Sequence, residues 1–231
     1  MKIKDKKRLF YDTIADRFDE LHNTYDINRR LSIVYEELLP FDIRGLKGLD
    51  LGCGSGWFSK KAVERGIHLS SLDISQNLAR ITQKRTSSNV VVADAVSLPF
   101  PENSFDIIIS SEMIEHLGDV ECGIREISRV LSPEGILVLT TPNRRWLWLV
   151  NFATSMKLRH YEGFENLLHF DELSYLLNKY SLDIIFHIGF HPWPFQITPL
   201  QKLSLRVDKR FGNSRWAKWM INQAVFATKK R

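Results

Sequence analysis

Nine consecutive residues, Gly48-Leu49-Asp50-Leu51-Gly52-Cys53-Gly54-Ser55-Gly56, limit the fold of this chain more than any other stretch, because they join a short apolar strand to a glycine-dense turn that opens into a helix. Glycine reaches positive φ without a Cβ penalty and lets a ligand come against the main chain. The unpaired N–H groups at the start of the next helix favour negative charge there. A nucleotide-like ligand is what such a turn is built to approach. A second apolar run ends at Ser71-Leu72-Asp73, roughly 20 residues on, where folds of this kind hold ribose hydroxyls with a carboxylate. The dinucleotide fingerprint G-x-G-x-x-G needs its third glycine at position 57, which here is Trp57, so a nucleoside without a diphosphate is the better fit.

Apolar, β-branched runs alternate with helical patterns through the chain, which predicts right-handed βαβ units in a mostly parallel sheet. Strands are expected over 47–51, 68–73, 89–93, 105–110 and 136–140, nearly continuous in hydrophobicity as strands covered on both faces are. Helices are expected over 57–65, 76–85 and 120–131, with Ser75 as an N-cap, Gly66 as a C-terminal stop and Pro133-Glu134-Gly135 as a turn before the fifth strand. A helix over 171–180 leads to a strand over 182–188, and 223–228 can supply a last edge strand. Two stretches, 143–170 and 191–220, break the alternation. The first carries Arg144, Arg145, Trp146, Trp148, Lys157 and Arg159, the second Trp193, Phe195, Arg206, Arg210, Trp216 and Trp219.

At the glycine turn the chain resembles the class I S-adenosylmethionine-dependent methyltransferases, whose first motif reads much like LDLGCGSG; the likeness runs from about Tyr11 to about Asn143 and returns weakly at the C-terminus. The resemblance implies an α/β, Rossmann-like, seven-stranded, mostly parallel sheet with helices on both faces and the last strand antiparallel. It implies one methyltransferase domain over 1–231, with 1–45 as an N-terminal helical cap and 143–170 and 191–220 as acceptor-site insertions.

The implied donor is S-adenosyl-L-methionine, leaving as S-adenosyl-L-homocysteine. Gly52, Cys53, Gly54 and Gly56 would meet its methionyl part, with Asp50 hydrogen-bonding the ammonium directly or through water. Asp73, with Ile74 beside it, would take the ribose hydroxyls, and Asp94 with the Ala95 amide would take the adenine amino group. In FPENSFDIIISSEMIEHLGD, Ser111 and Glu112 follow the strand that separates donor from acceptor and would stand near the transferring methyl group. Methyl transfer from a sulfonium is a one-step displacement that rests mostly on alignment. His116 can deprotonate a hydroxyl acceptor, since imidazole titrates near the working pH, and Glu112 is the second candidate catalytic group. Glu115 and His116 serve equally well as caps or braces of the next helix. Tyr11, Ile14, Phe18 and Leu21 lie at helical spacing and read first as core packing; the alternative has Tyr11 and Phe18 facing the sulfonium or the acceptor.

Glu112-Met113-Ile114-Glu115-His116 also has the E-x-x-E-H spacing that resembles two metal-assisted branches, the ubiquinone-biosynthesis O-methyltransferases and the small-RNA 3′-end 2′-O-methyltransferases. Two carboxylates and an imidazole, with His169 of LLHFDEL as a fourth ligand, would suit Mg²⁺ or Mn²⁺. Relatives that use no metal also read E-H-L here, so the expectation is a site without one.

Composition bounds the rest. With 231 residues and 44% apolar content, one domain is the default. No run approaches the roughly 18 to 20 apolar residues of a membrane span, and MKIKDKKR lacks the apolar stretch of a secretory signal, which predicts a cytoplasmic protein. Cys53 and Cys122 are too few and too scattered for a disulfide framework or a zinc site and are expected to be small buried thiols. From Gln201 onward nine Lys or Arg face a single acid, Asp208, an asymmetry that suits nucleic acid, anionic lipid or a charged small molecule, or else a solvated surface with a basic tail.

The expected activity is methyl transfer to a small, amphipathic, quinone- or lipid-like hydroxyl acceptor, with peripheral contact to an anionic membrane surface. RNA 2′-O-methylation and a catalytically silent, SAM-binding partner protein are the alternatives. Trp57 disfavours a dehydrogenase, and the sequence assigns no oligomeric state.

Overall fold

The computed structural model of the chain describes residues 10–148, 151 and 165–231. Seven strands, β1 (Lys47–Leu51), β2 (His68–Asp73), β3 (Asn89–Val92), β4 (Phe105–Ser111), β5 (Leu131–Pro142), β6 (Leu182–Phe190) and β7 (Asn222–Lys229), form one sheet in the order β3-β2-β1-β4-β5-β7-β6. The first five run parallel, and β7 enters antiparallel between β5 and β6. Strand order reverses between β1 and β4, so their carboxyl ends open on the crevice where such sheets hold ligands.

The helices that matter for this crevice are α1 (Thr24–Ser32), α2 (Trp57–Glu64), α3 (Gln76–Arg85), α4 (Val120–Val130), α5 (Phe170–Lys179) and α6 (Gln201–Phe211). Alternate side chains of each strand feed two cores. Leu49, Leu51, Ile108 and Leu139 pack with Ile124 and Ile127 of α4 and Leu173 of α5, while Ile107, Ile109 and Val138 pack with Phe58 and Ala62 of α2 and with Ile33, Val34 and Tyr35. α1 starts where Asn23 Oδ1 accepts from the Tyr25 and Asp26 N–H groups, and it runs on into a π-helical segment, Ile33–Leu38. The carbonyls at the end of that segment are satisfied by Arg65, whose guanidinium donates to Tyr35 O, Leu39 O and Phe41 O at 2.7 to 3.1 Å.

The expected strands and helices form within a residue or two of their predicted bounds, with one exception, while the strand expected at the edge over 223–228 is instead the inner strand β7, leaving β6 at the edge. β5 begins at Leu131, because Leu131 pairs with Phe105 before the chain bulges out at Pro133-Glu134-Gly135 and rejoins the ladder at Ile136 opposite Ile107. Glu134 sits at φ +63°, so the expected turn exists inside the strand. Ser75 caps α3 by accepting from Leu78 N–H at 3.2 Å. α5 starts one residue early, with exposed His169 as its N-cap.

Two burial expectations are corrected. Tyr11, Ile14, Phe18 and Leu21 are all half-exposed, and Phe18 instead stands over the glycine turn. Cys53 is buried as expected, but Cys122 is half-buried with its Sγ 3.4 Å from Val96 O. Lys157 and Arg159 lie outside the described residues. Among the described residues no helix is long and apolar enough to cross a membrane.

Candidate functional site: a nucleoside crevice beside a polar chamber

The turn after β1 is pinned to the end of β2. Gly52 and Cys53 N–H both donate to Leu72 O, at 2.8 and 2.9 Å, and Gly54 N–H donates to Asp73 Oδ2 at 2.8 Å. Gly52 at φ +79° and Gly56 at φ +89° need the left-handed region, and neither has room for a side chain: a Cβ at 52 would run into Met113, and one at 56 would stand 2.8 Å from Thr82 Oγ1 and 3.1 Å from Thr82 Cα on α3. Gly56→Ala is therefore expected to push α2 and α3 apart, costing about 2 kcal/mol and lowering the melting temperature by about 4 to 8 °C. Thermal melting of the purified variant checks this, and an unchanged midpoint would show that the helices give way freely.

The N-terminal residues lie across this turn. Asp12 accepts from Ser75 Oγ and Asn77 N–H at 2.6 and 3.1 Å, and Asp19 accepts from Ser55 Oγ, Trp57 Nε1 and Arg85 Nη2 at 2.5, 3.1 and 2.7 Å. Beneath the turn Asp50 is 2% exposed and accepts from Ser59 Oγ at 2.5 Å; Ser59, Ser71 and Ser88 continue a hydroxyl chain with steps of 2.8 Å. Burial pushes the Asp50 carboxyl up to about 7, with the Ser59 hydroxyl opposing and the Asp73 charge adding. Burial pushes Asp73 up to about 6 against the N–H groups of Ser75, Gly54 and Ile74. Carboxyls raised by burial return to their charged form when a cation or hydroxyl donors reach them, so this pair suits an ammonium and a diol. Asp94 is half-buried after β3, its Oδ1 accepting from Val96 N–H at 3.3 Å, with buried Ala95 between.

A second, polar chamber covers the carboxyl ends of β4 and β5. Ser111 Oγ lies 2.9 Å from Thr140 Oγ1 and accepts from Arg30 Nη1 at 3.0 Å. Glu112 sits at φ +52°, a strained value for a residue with a Cβ, which turns its carboxylate back over the sheet to accept from Thr140 Oγ1 and Asn222 Nδ2 at 3.1 and 3.2 Å. Glu115 is buried and accepts from Thr141 Oγ1 at 2.9 Å; burial, with Glu112 adding, holds its carboxyl well above the ordinary range. His116 meets the Tyr11 ring edge-on, centroids 5.7 Å apart.

Beside this chamber is a buried ion cluster. Arg30 donates through Nε to Asp26 Oδ2 at 2.9 Å, and Asp26 Oδ1 lies 3.0 Å from His191 Nε2. Asp208 accepts from His191 N–H and Arg29 Nε at 2.9 and 3.1 Å. Burial alone would raise Asp26, but Arg30 and His191 outweigh it and hold the carboxyl at about 2.

Together these define an α/β protein whose sheet reverses its strand order beside a pinned glycine turn, with polar side chains gathered at the end of β4. The family description "Methyltransferase domain" matches residues 49–139. The chain is 31% identical over 163 residues to the ubiquinone biosynthesis O-methyltransferase of Bartonella bacilliformis, covering 66% of this chain and 65% of that one. It is 35% identical over 135 residues to an uncharacterised protein of Methanocaldococcus jannaschii, covering 58% of this chain and 51% of that one. The chain thus spans about half to two thirds of the length of these relatives. The crystal structure of an S-adenosylmethionine-dependent methyltransferase from Mesorhizobium loti superposes with a TM-score of 0.67 at 22% identity, covering 88% of this chain and all of that one. Residues 49–139 thus match a methyltransferase-domain family, and the chain shares the fold of solved S-adenosylmethionine-dependent methyltransferases.

Of the residues singled out in the sequence, Asp50, Gly52, Cys53, Gly54, Gly56, Asp73 and Ile74 gather at one turn, with Asp94 and Ala95 at the next strand end, while Ser111, Glu112, His116 and Tyr11 gather at the chamber. Glu112, Glu115, His116 and His169 do not combine as a metal site. Glu112 and Glu115 are turned to separate threonines, His169 is an exposed cap, and among the described residues no three His, Cys, Asp or Glu form a group that could hold a metal ion. Sequence reasoning missed Arg30, Asp26, Thr140 and Asn222. The spacing of Asp26 and Arg30 by four was the available signal.

Proposed function

We propose that this chain moves the methyl group of S-adenosylmethionine onto the hydroxyl of a small, amphipathic acceptor, working as one domain with 1–45 as a helical cap and 143–170 and 191–220 as acceptor-site insertions. The observation that supports this most is Met113, whose side chain takes the space over Gly52 that a Cβ would need. Its neighbours Glu112 and His116 thereby stand beside the methionyl cradle. When bound, the donor supplies an electrophilic methyl on a sulfonium, the acceptor oxygen bonding to that carbon as the carbon–sulfur bond breaks and its electron pair stays on sulfur.

The residues of the chain do the rest. Asp50 holds the ammonium, Asp73 and Ile74 the ribose, Asp94 and the Ala95 N–H the adenine edge, and Gly52, Cys53, Gly54 and Gly56 bring backbone against the donor. His116 takes the acceptor's proton, with Tyr11 packed against its ring. Glu112, fixed by Thr140 and Asn222, orients the acceptor hydroxyl, and Ser111, held by Arg30, forms the wall between the two ligands. A quinone-like acceptor fits the name of the Bartonella relative.

Incubation with methyl-labelled donor and a panel of prenylated phenols and catechols tests this. His116→Ala is expected to lower kcat by about 10²-fold or more while S-adenosylhomocysteine affinity stays within about threefold. S-adenosylhomocysteine binding without transfer to any phenol, catechol or short RNA would leave the silent, donor-binding reading in its place.

A further inference from the structure

We propose that the outward face of α6 and the adjoining turn Ala217–Trp219 form a docking surface for a bilayer carrying anionic phospholipid. The surface is independent of the methyl-transfer reading. α6 exposes Lys202, Leu203, Arg206, Lys209 and Arg210, whereas its one acid, Asp208, is 4% exposed and faces inward to Arg29 and the His191 N–H. Folding thus removes from this face the only negative charge that its sequence carries. Apolar side chains flank the cations at both ends: Ile197 and Leu200 before the helix, Phe211, Trp216 and Trp219 after it, with Trp216 51% and Trp219 49% exposed.

The end of α6 and the Ala217–Trp219 turn adjoin, because both seat on Gly189. Gly189 N–H donates to Gly212 O at 2.8 Å, and backbone atoms of Ala217 fill the space where a Gly189 Cβ would be. Trp146 joins from the other insertion, donating through Nε1 to Trp219 O at 2.9 Å and stacking on Trp148, which is 65% exposed.

Charge suits both a lipid headgroup and a nucleic acid, but the side chains favour lipid. A base needs an open aromatic face, and Trp219 is already covered by the Arg145 guanidinium 3.6 Å from its ring centre, while Arg215 lies 5.7 Å from the Trp216 ring. Ile197, Leu200 and Leu203 offer nothing to a base and gain from insertion at the acyl boundary, where Trp and Arg also settle. Anionic headgroups attract clustered Lys and Arg within a Debye length.

Vesicle flotation of the full chain tests this, with phosphatidylcholine alone, with phosphatidylcholine carrying 30 mol% phosphatidylserine, and with a 20-mer oligouridylate as competitor, each at 50 and 300 mM NaCl. Binding to the anionic vesicles at low salt is expected to exceed binding to neutral ones by at least about tenfold and to weaken at high salt. The triple variant Lys202→Glu/Arg206→Glu/Arg210→Glu is expected to lose at least about tenfold. The charge-matched Lys60→Glu/Arg80→Glu/Lys84→Glu, on α2 and α3, is expected to bind like the parent, and Leu200→Ser/Leu203→Ser to lose several-fold with an unchanged melting temperature. Equal loss in both triple variants, equal binding to both vesicle types, or displacement by the oligouridylate at lower concentration than by the anionic vesicles would overturn the proposal.

Discussion

Asp50→Asn is expected to raise the melting temperature of the ligand-free protein at pH 8 while removing most of its affinity for the donor. The carboxyl titrates at about 7 when folded against an ordinary 3.8, so between those values the folded state holds more protons and stability falls as the pH rises. About three units correspond to about 4 kcal/mol of burial cost at pH 8. Asparagine removes the charge and keeps Ser59 as its donor, although its amide must find an acceptor, which offsets part of the gain. A net rise of about 3 to 6 °C at pH 8 follows, with a smaller one at pH 5 where Asp50 is already neutral in the fold. Against this, the lost charge-assisted hydrogen bond to the donor's ammonium should weaken binding about 10- to 100-fold. In the parent, donor affinity should fall between pH 8 and pH 6 as Asp50 takes its proton. Melting curves at two pH values with calorimetry against S-adenosylhomocysteine check both halves; a variant that melts equally at both, relative to parent, would mean Asp50 is not raised.

The second large effect belongs to Arg30. Arg30→Met leaves Asp26 buried against His191 with one cation gone and removes the hydrogen bond to Ser111, so a loss of about 3 to 5 kcal/mol, roughly 6 to 20 °C, is expected. Asp26 at about 2 against 3.8 contributes about 2 kcal/mol that is present above pH 4 and lost as the pH falls toward 2. Asp26→Asn/Arg30→Met should recover much of the single variant's loss, since removing both charges leaves neither stranded. A single variant that melts within a degree or two of the parent, or a double variant no better than the single, would show that the pair carries no such burden.

How much of this was legible follows from range. β1 and β2 were readable to the residue, because apolar runs bounded by glycine and aspartate carry their own punctuation. The glycine turn and the three strand-end aspartates were readable for the same reason. Asp26 and His191 are 165 positions apart, and Asn222 is 110 from Glu112, so nothing local marks them as partners. Helical spacing at Tyr11, Ile14, Phe18 and Leu21 could not tell a core stripe from a lid, since both ask for one apolar face. The four Glu/His residues failed as a cluster because spacing along a chain does not fix direction: Glu112 is taken up by Thr140, Glu115 by Thr141, and His169 caps α5 at the surface.

The position of β7 sets an order of assembly. Among the described residues, Leu182–Phe190 have their ladder partner only in Asn222–Lys229, which also closes the free side of β5. During synthesis β6 must therefore wait, unzipped, while some thirty intervening residues emerge and coil around Gly189. A nonsense codon between positions 191 and 222 would leave two naked hydrogen-bonding rims in the nascent product, a template for self-association and a mark for proteolytic clearance.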